Sequence, residues 1–196
     1  MTRKLEFFFD FGSPNAYLAY TQLPALCERC ITDLVWRPML LGGVFKATGN
    51  HAPGEVPAKG AYLRRDMARF VERYGIEYQF NDAFPINTLT LMRGAVALLD
   101  DIRFPTYVDA VFRALWVDNR DLGDPAVLEH TLADVGFEAS EFMAAVSAPE
   151  TKQALIAATD EAVARGVFGA PSFIVDDELF FGQDRLDFVE RALTHV

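Results

Sequence analysis

A strand that passes into a helix within three residues, the Gly-Ser-Pro of residues 12–14, constrains the fold of this chain more than any other feature of its sequence. Residues 5–11 alternate in polarity, although one phenylalanine interrupts the polar face, which is typical of a strand buried on both sides. The hydroxyl of Ser13 is a good N-cap, and the proline after it suits the first helical position. A second apolar run at residues 34–41 indicates another strand or a strand that exits into a loop. Strand, helix and strand joined this closely predict a parallel βαβ unit.

Two further blocks follow, and each changes the period of the apolar side chains. Helical periodicity dominates residues 56–148, where Asp124 followed by proline marks another capped helix start. Residues 149–196 begin with an alanine-rich helix, continue with two short apolar runs around an acidic turn, and end with a helix that we expect to open at Asp184. This order predicts an α/β fold. It is a thioredoxin-like βαβ…αββα domain of residues 1–55 and 149–196, with an inserted all-helical subdomain at residues 56–148.

The charge balance narrows the classes of partner. The formal net charge is −10, which disfavours nucleic acid and anionic membrane surfaces, because both are bound by clustered lysine and arginine. No apolar stretch reaches the roughly 18 residues that a membrane helix needs, and the amino terminus has no cleavage site of a secretory signal. We therefore expect a cytoplasmic protein with no nucleic-acid or membrane partner. A small anionic ligand stays possible, since it needs only a local positive site.

Three loops are candidates for chemistry, and each also has a purely structural interpretation. Residues 11–15 lie at the carboxyl end of the first strand and the N-terminus of the first helix, where open α/β sheets place anionic ligands, although Ser13 could simply cap that helix. Residues 167–172 place a proline directly before a strand. Local sequence favours an ordinary trans proline there, whereas the thioredoxin-like order favours a cis proline that faces the first helix. Residues 181–185 form a further helix start, or a plain cap and turn.

The motifs around these loops resemble those of the 2-hydroxychromene-2-carboxylate isomerases. FDFGSP at residues 9–14, KATGN at 46–50, VFGAPS at 167–172 and FGQDRL at 181–186 occur in the order and spacing of that family. The family is similar to kappa-class glutathione transferases and, more distantly, to periplasmic disulfide-forming oxidoreductases. The resemblance covers essentially the whole chain. It implies glutathione as the cofactor and a homodimer.

The resemblance also implies a role for each segment. The family's serine contacts the glutathione sulfur, which maps onto Ser13 as the catalytic residue, and the backbone of Ala170 pairs with the glutathione peptide. Residues 181–184 meet the γ-glutamyl end, where Asp184 suits the ammonium group. The implied glutathione-binding residues are Ser13, Ala170, Pro171, Phe181, Gly182, Gln183 and Asp184. The implied substrate-binding residues are Lys46, Ala47, Asn50 and Asn87.

The cysteine pair and a group of basic residues are further candidates for chemistry. Cys27 and Cys30 have the C-x-x-C spacing but lie near the far end of the first helix, where the helix dipole opposes a thiolate, so we interpret them as structural or incidental. A zinc site would need two more ligands, and we expect no metal. We expect Lys46 to lie in a glycine-flanked loop after the second strand and to contact an anion. Arg64 and Arg65 are more typical of a solvated helix face.

The function that the resemblance implies is glutathione-dependent cis–trans isomerisation of an aromatic-degradation intermediate. The reaction is of the type that converts 2-hydroxychromene-2-carboxylate to trans-o-hydroxybenzylidenepyruvate, and the partner is a small aromatic carboxylate. Two alternatives stay open: a kappa-like glutathione transferase and a non-catalytic peptide-binding protein of thioredoxin-like fold. A disulfide oxidoreductase is disfavoured because Ser13 stands where a redox protein has its first cysteine.

Overall fold

A four-stranded sheet carries the first and last parts of the chain. The computed structural model describes residues 3–194. Its strands are β1 (Lys4–Phe9), β2 (Asp33–Pro38), β3 (Ser172–Val175) and β4 (Glu178–Phe181). The helices in this range are α1 (Pro14–Cys30), α2 (Leu41–Thr48), α3 (Pro57–Tyr74), α4 (Leu89–Ala97), α5 (Phe104–Trp116), α6 (Pro125–Ala133), α7 (Ala139–Ser147), α8 (Pro149–Ala164) and α9 (Leu186–Thr194). Short 3₁₀ turns occupy Pro53–Glu55 and Gln183–Arg185.

The sheet order is β2-β1-β3-β4, with β1 and β2 parallel and the other two pairings antiparallel. The parallel pair confirms the predicted βαβ unit. Asp176 and Asp177 take left-handed backbone angles, with φ of 47° and 70°, and close the predicted hairpin between β3 and β4. The predicted α/β class and the βαβ…αββα order are therefore confirmed.

Strand β1 is buried on both faces, as its sequence predicts. Phe7 and Phe9 join a large core cluster with α1 and α5, whereas Phe8 joins a smaller one that includes Met39 and Ala162. The indole N–H of Trp116, at the end of α5, donates to the carbonyl oxygen of Phe11 at 2.8 Å. The helices of the middle block thus pack directly against the sheet. The division into residues 1–55 with 149–196 and an inserted subdomain stays a prediction, and its first and last two residues lie outside the described range.

Three local expectations need correction. Residues 41–48 form helix α2 rather than a loop, because the Leu41 amide is capped by Asp10 at 2.8 Å and Gly49 ends the helix with a φ of 70°. The last helix opens with a 3₁₀ turn after Gly182, and Asp184 lies inside that turn instead of capping it. The Ala170–Pro171 peptide is cis, so the local preference for a trans proline was wrong.

Candidate functional site

Ser13 links the start of α1 to the loop before β3. Its Oγ accepts from the Ala16 amide at 3.2 Å, which confirms the predicted N-cap. The same hydroxyl donates to the carbonyl oxygen of Ala170 at 2.9 Å. Ser13 is only 5% exposed, so these two contacts fix its side chain at the junction. The geometry brings the first and second predicted loops together.

Asp10 holds the backbone on both sides of this junction by hydrogen bonds. Its carboxylate is 1% exposed, and its two oxygens accept from the amides of Gly12 and Leu41, each at 2.8 Å. Burial raises the pKa of Asp10, and the hydrogen bonds from Leu41, Gly12 and the Thr88 side chain act in the opposite direction. Asp10 therefore joins the end of β1 to the first turn of α2. Sequence reasoning treated it only as a polar position in a strand, although an acidic residue between two phenylalanines was the available signal.

The cis-proline loop is held by hydrogen bonds to each of its carbonyl groups. Asn50 Nδ2 donates to the Phe168 carbonyl at 2.8 Å, and Ser172 Oγ donates to that of Gly169 at 2.8 Å. Ser13 holds the Ala170 carbonyl, and the Gly182 amide donates to that of Pro171 at 3.0 Å. Within residues 3–194, no group accepts from the Ala170 amide. The loop therefore keeps an unused backbone donor next to Ser13.

A cavity of about 1480 Å³ opens beside this junction, between the loop, α2 and α3. Four of the predicted site residues line it: Ser13, Asn50, Ala170 and Phe181. Asn15, in the first turn of α1, also lines it, and its Oδ1 is buried with no hydrogen-bond partner among the described residues. The walls are mostly apolar, with aromatic rings such as Phe45, Phe80 and Phe84. The cavity thus has polar groups at Ser13 and Asn15 and mostly apolar, aromatic walls elsewhere.

Other predicted site residues lie outside this cavity. Lys46 and Ala47 are exposed in the last turn of α2 and are not among the lining residues. Asn87 is exposed, and its Oδ1 accepts from the Leu89 amide at 3.0 Å at the start of α4. The structure therefore does not bring these three together with Ser13. The expected loop position of Lys46 was wrong because α2 is helical there.

The segment after β4 faces a second, smaller cavity. Gln183 and Asp184 line a space of about 230 Å³ between α1, α3 and α9. The Asp184 carboxylate lies 2.6 Å from the Arg185 guanidinium. Pro171 and Gly182 are buried and are joined by the hydrogen bond described above. The predicted glutathione-binding set is thus divided between the wall of the large cavity, this small one and the backbone between them.

The charged lining of the large cavity includes residues outside the predicted site. Arg64 and Arg65 are exposed on α3, as expected of a solvated helix face, and they also line the cavity. His51 and Glu55 also line the cavity. A cavity with two arginines and one carboxylate is locally positive in a chain of net charge −10.

The cysteines are not among the lining residues of either cavity. Burial raises the pKa of Cys27 to about 11, and burial followed by the charge of Glu190 raises that of Cys30. Both thiols are free and partly buried. Within residues 3–194 no cluster of three or more His, Cys, Asp or Glu side chains could hold a metal ion. Over the same range no helix combines the length and apolarity needed to cross a bilayer.

Comparison with known proteins gives consistent results. Residues 4–194 match the family described as "DSBA-like thioredoxin domain". A 2-hydroxychromene-2-carboxylate isomerase of Sphingobium xenophagum is 32% identical over 195 residues, covering 98% of this chain and 99% of that protein. Human glutathione S-transferase kappa 1 is 26% identical and covers 98% and 92%. The solved structure of a 2-hydroxychromene-2-carboxylate isomerase superposes with a TM-score of 0.87 at 26% identity, covering 97% and 94%.

Proposed function

Because this chain belongs to the DsbA-like thioredoxin-domain family and, within it, to the 2-hydroxychromene-2-carboxylate isomerases, we propose that it is a glutathione-dependent cis–trans isomerase of a conjugated aromatic carboxylate. The 2-hydroxychromene-2-carboxylate isomerases are enzymes, and this chain is therefore an enzyme. The single observation that carries the proposal is the Ser13 hydroxyl, which lies at the N-terminus of α1, 2.9 Å from the cis-proline loop and in the wall of a large cavity.

Three features of the site fit glutathione. The Ala170 amide has no acceptor among the described residues and can donate to a peptide carbonyl. Asn15 Oδ1 is buried without a donor, as expected of an acceptor reserved for a ligand. The cavity of about 1480 Å³ exceeds the roughly 300–1,000 Å³ of a usual small-molecule site, which leaves room for a cofactor and a second molecule.

The proposed residue roles follow from these positions. Ser13 holds the sulfur, Ala170 pairs with the peptide through its amide, and Phe181 together with Gly182, Gln183 and Asp184 receives the γ-glutamyl end. Asp184 already contacts Arg185, so its contact with an ammonium group requires the carboxylate to serve both cations. Asn50 lines the cavity, so we retain it as a proposed substrate-binding residue.

Bound at this place, glutathione would supply a thiolate that adds to the conjugated substrate and leaves again, so that a bond that was double can rotate. The chain's part is to hold the sulfur ionised. Lowering a thiol pKa from 8.5 by about two units needs roughly 2.7 kcal/mol. A hydrogen bond from Ser13 to a charged group supplies about 1.5–3 kcal/mol, and the N-terminus of α1 adds about 0.3–2 kcal/mol. Ser13 and α1 therefore suffice without a separate base.

A glutathione transferase is the second candidate, because the same Ser13 geometry serves both reactions and a kappa-class relative matches almost the whole chain. A homodimer and a cytoplasmic location, both expected from the sequence, complete the proposal.

One assay separates the two candidates. Conversion of 2-hydroxychromene-2-carboxylate is followed by its absorbance change with and without glutathione, while free thiol is titrated before and after. We expect conversion that depends on glutathione and leaves the thiol concentration unchanged. Consumption of one thiol per product would favour the transferase, and conversion at equal rate without glutathione would refute the cofactor.

A further inference from the structure

Arg64 and Arg65 are cations without an acidic partner in the wall of the large cavity. Within residues 3–194 no carboxylate lies within ion-pair distance of either guanidinium. Arg69, on the same helix, shows the contrast, since it pairs with Asp66 at 2.9 Å. The one acidic side chain lining the cavity, that of Glu55, is engaged elsewhere: it accepts from the Ala52 amide at 3.2 Å. Positive charge on the α3 wall is therefore left for a ligand.

Arg64 differs from Arg65 because an aromatic ring holds it in place. Its guanidinium carbon lies 4.6 Å from the centre of the Phe80 ring. Phe80 in turn packs against Phe84 and Trp116, with ring centres 5.4 and 6.2 Å away. A guanidinium held over a ring by a cation–π contact still has N–H groups for a bidentate contact with a carboxylate. Arg64 is thus preorganised as an anion-binding group.

The surroundings of Arg64 suit an aromatic acid. Phe80 and Phe84 form an apolar wall beside the guanidinium, and both line the cavity. A flat conjugated ring can pack on this wall while its carboxylate meets the N–H edge of Arg64. Lys46, which the sequence suggested for this task, is exposed on α2 and does not line the cavity.

We propose that Arg64 binds the carboxylate of the aromatic substrate and so determines the specificity of this enzyme for acids, a role that Lys46 does not have. This inference rests on the proposed function, because it concerns the second molecule in the same cavity. Arg64 is a binding residue in this assignment and takes no part in bond making.

The test compares an acid with its neutral amide. Binding of trans-cinnamate and trans-cinnamamide is measured by calorimetry with the parent and with Arg64→Met, both with and without glutathione. We expect Arg64→Met to weaken cinnamate by roughly 10- to 100-fold, the effect of losing one charged hydrogen-bonded contact, and to change cinnamamide less than about threefold. Arg64→Lys should fall between the two, because a lysine keeps the charge but not the planar fork.

Matched controls come from the same region. Lys46→Met, Arg65→Met and Arg69→Met each remove one positive charge, and we expect cinnamate affinity to stay within about threefold of the parent. In the isomerase assay Arg64→Met should raise KM and leave kcat within a few-fold.

Several results would overturn the assignment. Equal loss of cinnamate and cinnamamide would mean that Arg64 only shapes the wall, and a larger loss in Lys46→Met or Arg65→Met would give the role to that residue. Absence of cinnamate binding to the parent would remove the subsite altogether. Failure of the proposed function would look different: the parent would then bind no glutathione, whatever the cinnamate result. If Arg64→Met did not fold by circular dichroism, Arg64→Lys and the amide comparison would still decide.

Discussion

At the scale of single residues, the Ser13 hydroxyl has one proton, which it donates to Ala170 in this structure and would turn to the sulfur when glutathione binds. Ser13→Ala should keep the fold, since a lost cap costs about 0.5–2 kcal/mol. Bound glutathione should then lose its thiolate donor, and its thiol pKa should rise by about one to two units. Activity at neutral pH should fall roughly ten- to a hundred-fold and recover in part at higher pH. Titration of thiolate absorbance against pH measures the shift.

Ser172 provides the matched control for this change. Its hydroxyl donates to the same loop, at Gly169, but it is fully buried and does not line the cavity. Ser172→Ala should lower stability by a similar amount and leave the thiol titration where it is in the parent. Coincident titration curves for the parent and Ser13→Ala would show that Ser13 acts only as a helix cap.

A second expectation at this scale concerns the cysteine pair. Burial raises the pKa of Cys27 to about 11, so this thiol is protonated at neutral pH and is a poor nucleophile. The double variant Cys27→Ser with Cys30→Ser should therefore retain activity within a few-fold of the parent. A fall of two orders of magnitude in kcat/KM, with unchanged circular dichroism, would assign the thiol chemistry to this pair instead of to glutathione bound beside Ser13.

At the scale of elements, Glu6 joins β1, β2 and α8. Its carboxylate accepts from Arg165 at 2.6 and 2.8 Å and from Arg37 at 2.6 Å. The hydrogen bond from Arg165 lowers the pKa of Glu6 the most, burial opposes it, and Arg37 adds to the lowering. An acid whose pKa is lowered by folding stabilises the fold above its ordinary pKa of 4.5, and this contribution is lost as the pH falls through the folded value.

Glu6→Gln should therefore destabilise the protein near neutral pH by roughly 1–3 kcal/mol, and its melting temperature should approach that of the parent as the pH falls below 4.5. Thermal melts across a pH series measure both effects. Glu161→Gln is the control: Glu161 meets the same arginines only at 3.8–3.9 Å and is half exposed, so its removal should cost little at any pH. A constant difference between parent and Glu6→Gln at all pH values would contradict the linkage.

Helices α1 and α2 show which parts of the fold could be predicted from local sequence. The start of α1 was predictable, because a hydroxyl followed by proline acts locally. Helix α2 was not, since its eight residues include two glycines and its first amide is capped by Asp10, a residue 31 positions away. The cis peptide at Pro171 was likewise favoured by the order of elements and not by its neighbours. Contacts distant in sequence decide both cases.

At the scale of the whole molecule, glutathione should stabilise the fold by mass action. At about 100 times its dissociation constant the gain is roughly 2.7 kcal/mol, and in a chain of this size each kcal/mol raises the melting temperature by about 2–4 °C. Melts at increasing glutathione should therefore rise with the logarithm of its concentration. Glycylglycine at the same concentration is the control. No shift and no heat of binding at millimolar glutathione would contradict the cofactor assignment.

The arrangement of the cavity was only partly accessible from the sequence. The motifs around Ser13 and Ala170 indicated which loops meet, because strand order fixes the edge at which they end. They could not indicate which cation faces the cavity. Lys46 and Arg64 lie on different helices, and only the packing of α3 against the loop that carries Phe80 determines which of them points inward.

The cis-proline loop presents an open main-chain donor to whatever binds beside it. All four carbonyls of residues 168–171 are held by donors from the protein itself, whereas the Ala170 amide is open. A polypeptide that adds to a sheet edge exchanges donors and acceptors in alternation along its length. Here the carbonyls beside the open Ala170 amide already accept hydrogen bonds from side chains of the protein itself. A ligand that takes this amide and continues the pairing must therefore share an occupied carbonyl or displace the side chain that holds it.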